Sequence, residues 1–306
     1  MHGRDGDGRG SFSTIAKLTA IPLAGLAMFF LWNWMHGGIT PPEAAREVRA
    51  STASLVPHHN APPTAPPEEA LPRVQAKHHE TSRTRASGHG GSIVLIIDDL
   101  GFEGQPLDRL MSLDPNVNCA ILPNGTRVDE FAHELHARGF EILCHLPMEP
   151  QGHAAPGRNA ILTSMSDDEI ARATRENIEA VPFARGVNNH MGSRATMDRR
   201  VMTSVIGAIP NGMYFIDSRT IPGSIAANVA RELHVRTAAR NVFLDDVATD
   251  AAVRRQVAEV AHLAEEHGVA IAIGHPHPAT MRVLAEELPA LRARGFHLIR
   301  ASEVVR

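Results

Sequence analysis

Two adjacent carboxylates, Asp98 and Asp99, close the run Ser92-Ile93-Val94-Leu95-Ile96-Ile97. Like charges this close are costly unless a cation compensates them or one stays protonated. A metal site answers that cost, with one carboxylate on the cation and the other acting as a base on a water held there. The same pair before Gly101 also suits a turn or a helix cap, so the reading depends on what accompanies it. Residues 139–150 supply His145 and, four positions on, Glu149. Imidazole with carboxylate is suitable chemistry for zinc. Residues 186–193 hold Asn188, Asn189 and His190 between two glycines and read as a ligand loop. Phe215-Ile216 leads into Asp217-Ser218-Arg219, and Ile271-Ala272-Ile273-Gly274 leads into His275. Any one of these histidines alone suits a structural role. Together they place Asp, His, His, Asp and His after successive apolar runs, a repetition that packing does not explain.

The elements that position these residues follow from the apolar pattern. Strands are predicted over 93–97, 117–122, 140–144, 213–216, 242–244, 269–273 and 296–299. Helices are predicted over 126–138, 198–208, 222–233, 249–267 and 279–293, the last stopping before Gly295. Another opens at Ser166-Asp167-Asp168-Glu169, a capping-box signature, and runs to about 180. An unbroken β-branched run such as 93–97 is covered on both faces, as in parallel sheets. Strand alternating with helix then means a parallel sheet or an α/β barrel. In such folds active-site groups gather at the C-terminal ends of the strands. Neighbouring side chains on an extended strand alternate, so those of Asp98 and Asp99 are expected to diverge.

The rest of the chain has a different character. Residues 1–35 contain an apolar stretch from Leu18 to Trp34, preceded by Arg4, Arg9 and Lys17. This is the short limit for a membrane-spanning helix, with its N-terminus in the cytoplasm and tryptophans at the outer face. A cleavable signal peptide is the alternative; no small-x-small site follows Trp34, which favours an uncleaved anchor. Residues 36–91 carry eight prolines and no helical or strand period, and are expected to be a disordered linker. A coil of that length spans on the order of 40 Å, enough to hold residues 92–306 away from a membrane. The histidine pairs at 58–59 and 78–79 read as incidental. A net charge of −4 and the lack of a basic aromatic stripe exclude a nucleic-acid binder. The two cysteines, Cys119 and Cys144, both fall in predicted strands and are expected to be buried free thiols.

The strings His145-Leu-Pro-Met-Glu149-Pro, Asn188-Asn-His-Met-Gly-Ser193, Asp217-Ser-Arg-Thr220 and Gly274-His-Pro-His-Pro278 resemble the divergent branch of the polysaccharide deacetylase superfamily. The resemblance covers about 92–306. It implies an α/β fold, a distorted (β/α) barrel of the polysaccharide deacetylase type, and a divalent metal, usually zinc. By that resemblance Asp98 is the catalytic base, Asp99 a metal ligand and His275 the general acid. The main superfamily has two histidines four residues apart where this chain has His145 and Glu149. It also has an arginine-proline-tyrosine loop where this chain has residues 188–191. His190 is expected to stand in for the missing histidine, giving Asp99, His145, Glu149 and His190 as candidate ligands. Asn188, Asn189, Asp217 and Arg219 are candidate substrate contacts, with Asp217 alternatively orienting His275. The implied activity is metal-dependent removal of acetyl groups from an envelope polysaccharide or peptidoglycan fragment, outside the cytoplasmic membrane. The alternative is a catalytically silent glycan-binding module on the same barrel.

Overall fold

The computed structural model describes residues 90–306. The expected anchor over 1–35 and nearly all of the linker over 36–91 lie outside the described residues. Among the described residues no helix is long and apolar enough to cross a membrane.

Nine parallel strands make one sheet: β1 (Ser92–Leu100), β2 (Asn118–Ile121), β3 (Glu141–Met148), β4 (Ala184–Met191), β5 (Tyr214–Asp217), β6 (Thr237–Ala239), β7 (Val242–Phe243), β8 (Val269–Gly274) and β9 (His297–Leu298). Their order is β6-β5-β4-β3-β2-β1-β8-β7, with β9 also pairing β1. β6 and β7 stand at opposite ends of that order, yet only Arg240 and Asn241 separate them. So short a link reaches on the order of 10 Å, so the sheet must curl until its ends nearly meet. The result is a curled, parallel-stranded α/β half-barrel, the form the expected distorted barrel takes here.

Helices cover the outside: α1 (Leu107–Met111), α2 (Val128–Ala137), α3 (Asp167–Glu179), α4 (Arg199–Ala208), α5 (Ala226–Glu232), α6 (Asp250–His267) and α7 (Pro278–Ala293). α3 carries the expected capping box, with Ser166 accepting from Glu169 N and Glu169 accepting from Ser166 N. β1 is apolar on both faces because two cores flank it. Ile93, Leu95 and Ile97 pack under the helices. Val94 and Ile96 point into the half-barrel with Leu143, Tyr214, Ile216, Ile271 and Ile273, and Ala301 and Val305 close that inner core. Cys119 and Cys144 are buried and free, as expected, and burial pushes both thiols up.

Two stretches that shape the site differ from the sequence reading, besides the short β6 and α1, which it did not predict. Residues 184–191 form β4 rather than a loop, because their even-numbered side chains point inward where polar groups are satisfied. β3 runs on to Met148 through Pro147. β2 ends at Ile121, opposite Cys144, so no strand stands on that side of Pro147; its carbonyl accepts from Ile161 instead. The missing N–H of Pro147 therefore interrupts no ladder.

Gly186 in β4 lets the Tyr214 ring lie against the strand: a Cβ there would stand 2.3 Å from the ring. The ring cannot yield, since it is fully buried and its hydroxyl donates to Glu141 over 2.6 Å. Gly186→Ala is expected to destabilise the fold by about 1–3 kcal/mol, as overpacking does. Denaturant unfolding measures this; an unshifted midpoint would show that the ring moves freely.

Candidate active site

Alternation along the strands decides which polar groups enter the half-barrel. Val94 and Ile96 face inward, and so does Asp98. Leu143 faces inward, and so does His145; Gly186 is followed inward by Asn188 and His190; Ile271 and Ile273 by His275. Asp99 breaks this phase. β1 pairs Ile97 with Cys119 and Leu100 with Ile121, so Asp98 and Asp99 together oppose Ala120 in a bulge. Asp99 sits at φ 59, a left-handed conformation unusual for a residue with a side chain. Gln105 secures the bulge: its amide donates to Asp99 O over 2.6 Å, and its Oε1 accepts from Gly101 N and Phe102 N, each over 2.9 Å. The two carboxylates therefore do not diverge, as an extended strand would require, but enter the same cleft.

Three atoms from three strands meet there. Asp99 Oδ1 lies 2.8 Å from His190 Nδ1 and 3.2 Å from His145 Nε2, and the two nitrogens are 3.3 Å apart. Donors around a tetrahedral ion with bonds of about 2.0–2.1 Å stand about 3.3 Å apart. Asp99 Oδ1 is buried yet accepts no well-directed hydrogen bond, because the nitrogens face it without aligning an N–H. A buried, orphaned carboxylate oxygen facing two imidazole nitrogens fits a divalent cation of borderline softness. Burial alone would raise the Asp99 carboxyl, but the two imidazoles hold it far below the usual carboxylate range.

Asn188 fixes how His145 presents itself. A carboxylate only accepts, so the Asn188 amide donates to Asp98 Oδ1 over 2.8 Å. Its carbonyl oxygen is left to accept from His145 Nδ1 at 2.9 Å, which turns the lone pair of Nε2 toward Asp99. Asp98 is itself 1 % exposed, and burial lifts its carboxyl above the usual range against the pull of His145 and His275. Burial pulls the His145 imidazole down, but Asp98 and Asp99 more than offset it and leave it raised.

Across the cleft, His275 Nδ1 lies 2.9 Å from Asp245 Oδ1, and its Nε2 faces Asp99 Oδ2 at 3.9 Å. Asp245 Oδ2 accepts from His275 N and Thr280 Oγ1, each at 2.7 Å. Burial would lower His275; the Asp245 hydrogen bond and nearby carboxylates instead push it up to about 9. Asp245, His275 and His277 also approach one another, but the Asp245 oxygens are already engaged.

The structure thus gathers Asp98, Asp99, His145, Asn188, His190 and His275. Glu149 is not with them: its Oε2 accepts from Thr163 N and Thr163 Oγ1 at 2.6 Å each, and Arg194 lies 3.4 Å from its Oε1. Asn189 lines the cleft, but its amide links Met191 O to Ser218 N. Asp217 is one residue out of phase with inward Ile216, so it faces α5 and accepts from Ser224 Oγ and Ala227 N. It does not orient His275; Asp245 does. Asp245 was legible as another strand-end acid, since Val242-Phe243-Leu244 runs directly into Asp245-Asp246. Arg219 is exposed on the rim, at φ 47.

A parallel α/β half-barrel with a carboxylate–diimidazole triad at its strand ends, in a cleft of about 400 Å³, defines the class of protein. The chain belongs to the divergent polysaccharide deacetylase family, whose model matches residues 95–305. It is similar to the uncharacterized protein YibQ of Escherichia coli K12, 38 % identical over 197 residues, 64 % of this chain and 62 % of YibQ. The chain thus spans less than two thirds of that relative's length. An uncharacterized Haemophilus influenzae protein is 35 % identical over 193 residues, 63 % of this chain and 69 % of its own. The crystal structure of uncharacterized protein ATU2773 from Agrobacterium tumefaciens C58 shares the fold, with a TM-score of 0.68 and 20 % identity. That likeness covers 72 % of this chain and 91 % of the other.

Proposed function

We propose that the protein is a zinc-dependent hydrolase that removes acetyl groups from an envelope polysaccharide, acting from a membrane tether formed by residues 1–35. One observation carries the catalytic reading: a buried carboxylate, Asp98, stands beside a metal-binding triad, with a carboxylate-supported histidine opposite. Asp99 Oδ1, His145 Nε2 and His190 Nδ1 would hold the ion. Bound there, zinc supplies a Lewis acid for the acetyl carbonyl and lowers the pKa of a water.

The chain's own groups do the rest. Asp98, with its carboxyl raised by burial, takes the proton of the attacking water. The Asn188 amide holds Asp98 Oδ1 at 2.8 Å, which leaves Oδ2, 3.5 Å from His145 Nε2, to take that proton. The Asp245 carboxylate, hydrogen-bonded at Nδ1, favours the protonated form of His275. His275 therefore delivers a proton from Nε2 to the leaving amine or alkoxide, while Asp245 holds Nδ1. The cleft is lined by Pro150, Met191 and Phe243, apolar surface suited to an acetyl methyl and a sugar face. The tether reading rests on the composition of residues 1–35 alone.

The test is acetate release from chitin oligomers and from peptidoglycan fragments by the full chain with added zinc. Acetate is expected, and removal of the metal with a chelator is expected to stop it. Binding of these glycans with no turnover of either would replace this reading with the silent glycan-binding module.

A further inference from the structure

A second cavity, of about 470 Å³, opens beside the catalytic cleft, and the two share Thr220 and Phe243. Its walls carry two guanidinium groups, Arg219 and Arg240. Arg240 lies in the short link between β6 and β7. Its Nε donates to Ser218 O over 2.6 Å and its Nη2 to Arg219 O over 2.7 Å. These bonds use one edge of the guanidinium and fix its plane. The opposite edge, formed by Nη1 and the second Nη2 hydrogen, meets no acceptor among the described residues. The flat cation also stacks on Phe243, 3.8 Å from the ring centroid, and Phe243 in turn stacks on His275 at 5.8 Å. The free edge is therefore only two stacking layers from the proposed general acid.

Several cations on the outer surface behave differently. Arg199, Arg200, Arg254 and Arg282 each hold a carboxylate. Neither Arg219 nor Arg240 has one within ion-pair distance among the described residues, although Arg240 is half-buried. Burial and the neighbouring Arg219 guanidinium press its pKa down, and Asp246 on the same wall offsets this only in part. The backbone of Arg219 is held at φ 47 by Asp217, whose Oδ1 accepts from Arg219 N at 2.9 Å. Two cations are thus built into the rim with a donor fork left open. Planar, fixed guanidinium forks bind oxyanions, carboxylates among them, through two parallel N–H bonds.

We propose that Arg219 and Arg240 form a carboxylate-binding subsite beside the reacting centre, so that the preferred glycan carries a carboxylate on the sugar at, or next to, the acetylated one. The subsite rests on the hydrolase reading for its place in catalysis, but its binding role stands apart from turnover.

The probes are a glycan of alternating N-acetylglucosamine and N-acetylmuramic acid, whose lactyl group bears a carboxylate, and the same glycan as its methyl ester. Both are given to the full chain with added zinc, and equilibrium binding and acetate release are measured separately. The carboxylate form is expected to bind about tenfold or more tightly than the ester, the scale of one charge-assisted pair. Arg219→Gln and Arg240→Gln are each expected to shrink that ratio toward one. A merely structural role for either arginine would weaken both probes together and leave the ratio unchanged. Equal binding of the two probes by the native chain overturns the subsite even if acetate is released from both. Selective binding that the arginine variants abolish, with no acetate released, upholds the subsite and overturns the hydrolase reading instead.

Discussion

Asp98→Asn is expected to lower acetate release by about 10²–10⁴, the usual range for loss of a general base. Zinc content is expected to stay at that of the native chain, because Asp98 supplies none of the three atoms of the triad. The substitution is nearly isosteric, and the new amide oxygen still accepts from Asn188 Nδ2, the contact that holds Asp98 Oδ1 at 2.8 Å. What is lost is the ability to take a proton. Asp98 is 1 % exposed, so no solvent carboxylate substitutes for it. Paired measurements of zinc stoichiometry and acetate release decide the matter. Full activity in the variant would remove Asp98 from the mechanism.

Asp99→Asn is expected to act in the opposite order, on the metal before the rate. Asp99 Oδ1 is the charged member of the triad, and removing it should weaken zinc binding beyond the about 10–100-fold that loss of a supporting hydrogen bond costs. Asparagine is the informative choice because it tolerates the left-handed backbone that Asp99 adopts at φ 59, whereas alanine would add strain there. Zinc at about 100 times its Kd stabilises a folded chain by about 2.7 kcal/mol. For a domain of this size that raises Tm by about 5–10 °C. The native chain is expected to show such a rise, and Asp99→Asn and His190→Ala to lose it. An equal rise in all three would place the zinc elsewhere.

The site was legible in the sequence to the extent that it obeys strand alternation. Asp98, His145 and His275 each end an apolar run, and each enters the cleft because the inward residues before it set the phase. The same rule explains Asp217. It ends β5 as conspicuously, but on the odd phase, and serves the backbone of α5 and of Arg219 instead. Phase was not readable there, because a fully buried strand shows no polar alternation to count. Asp99 misleads in the other direction: a one-residue bulge, clamped by Gln105, brings an outward residue in, and nothing in 93–99 announces it. β4 was missed because Asn188, Asn189 and His190 lower its apolar content. Those residues are tolerated in a strand because each finds a polar partner: Asn188 and His190 inside the half-barrel, Asn189 on Met191 O and Ser218 N. Glu149 has the spacing of a ligand, but β3 continues past His145 and carries it to Thr163. Arg240 gave no signal, since its importance comes from the curl that brings the two ends of the sheet together.

The position of β1 has a consequence for how the chain reaches its native state. β1 pairs with β2, but its other side is filled by β8 and β9, so residues 92–97 wait for residues 269–274. Until the far end of the domain arrives, the apolar run of β1 presents an open hydrogen-bonding edge. Contacts of such long sequence separation form slowly. During that interval Ser92-Ile93-Val94-Leu95-Ile96-Ile97 is a β-branched, uncharged segment of the kind that pairs with copies of itself. Chains cut short before β8 are left in that condition permanently. They would be lost to intermolecular association even though Asp99, His145 and His190 are already present.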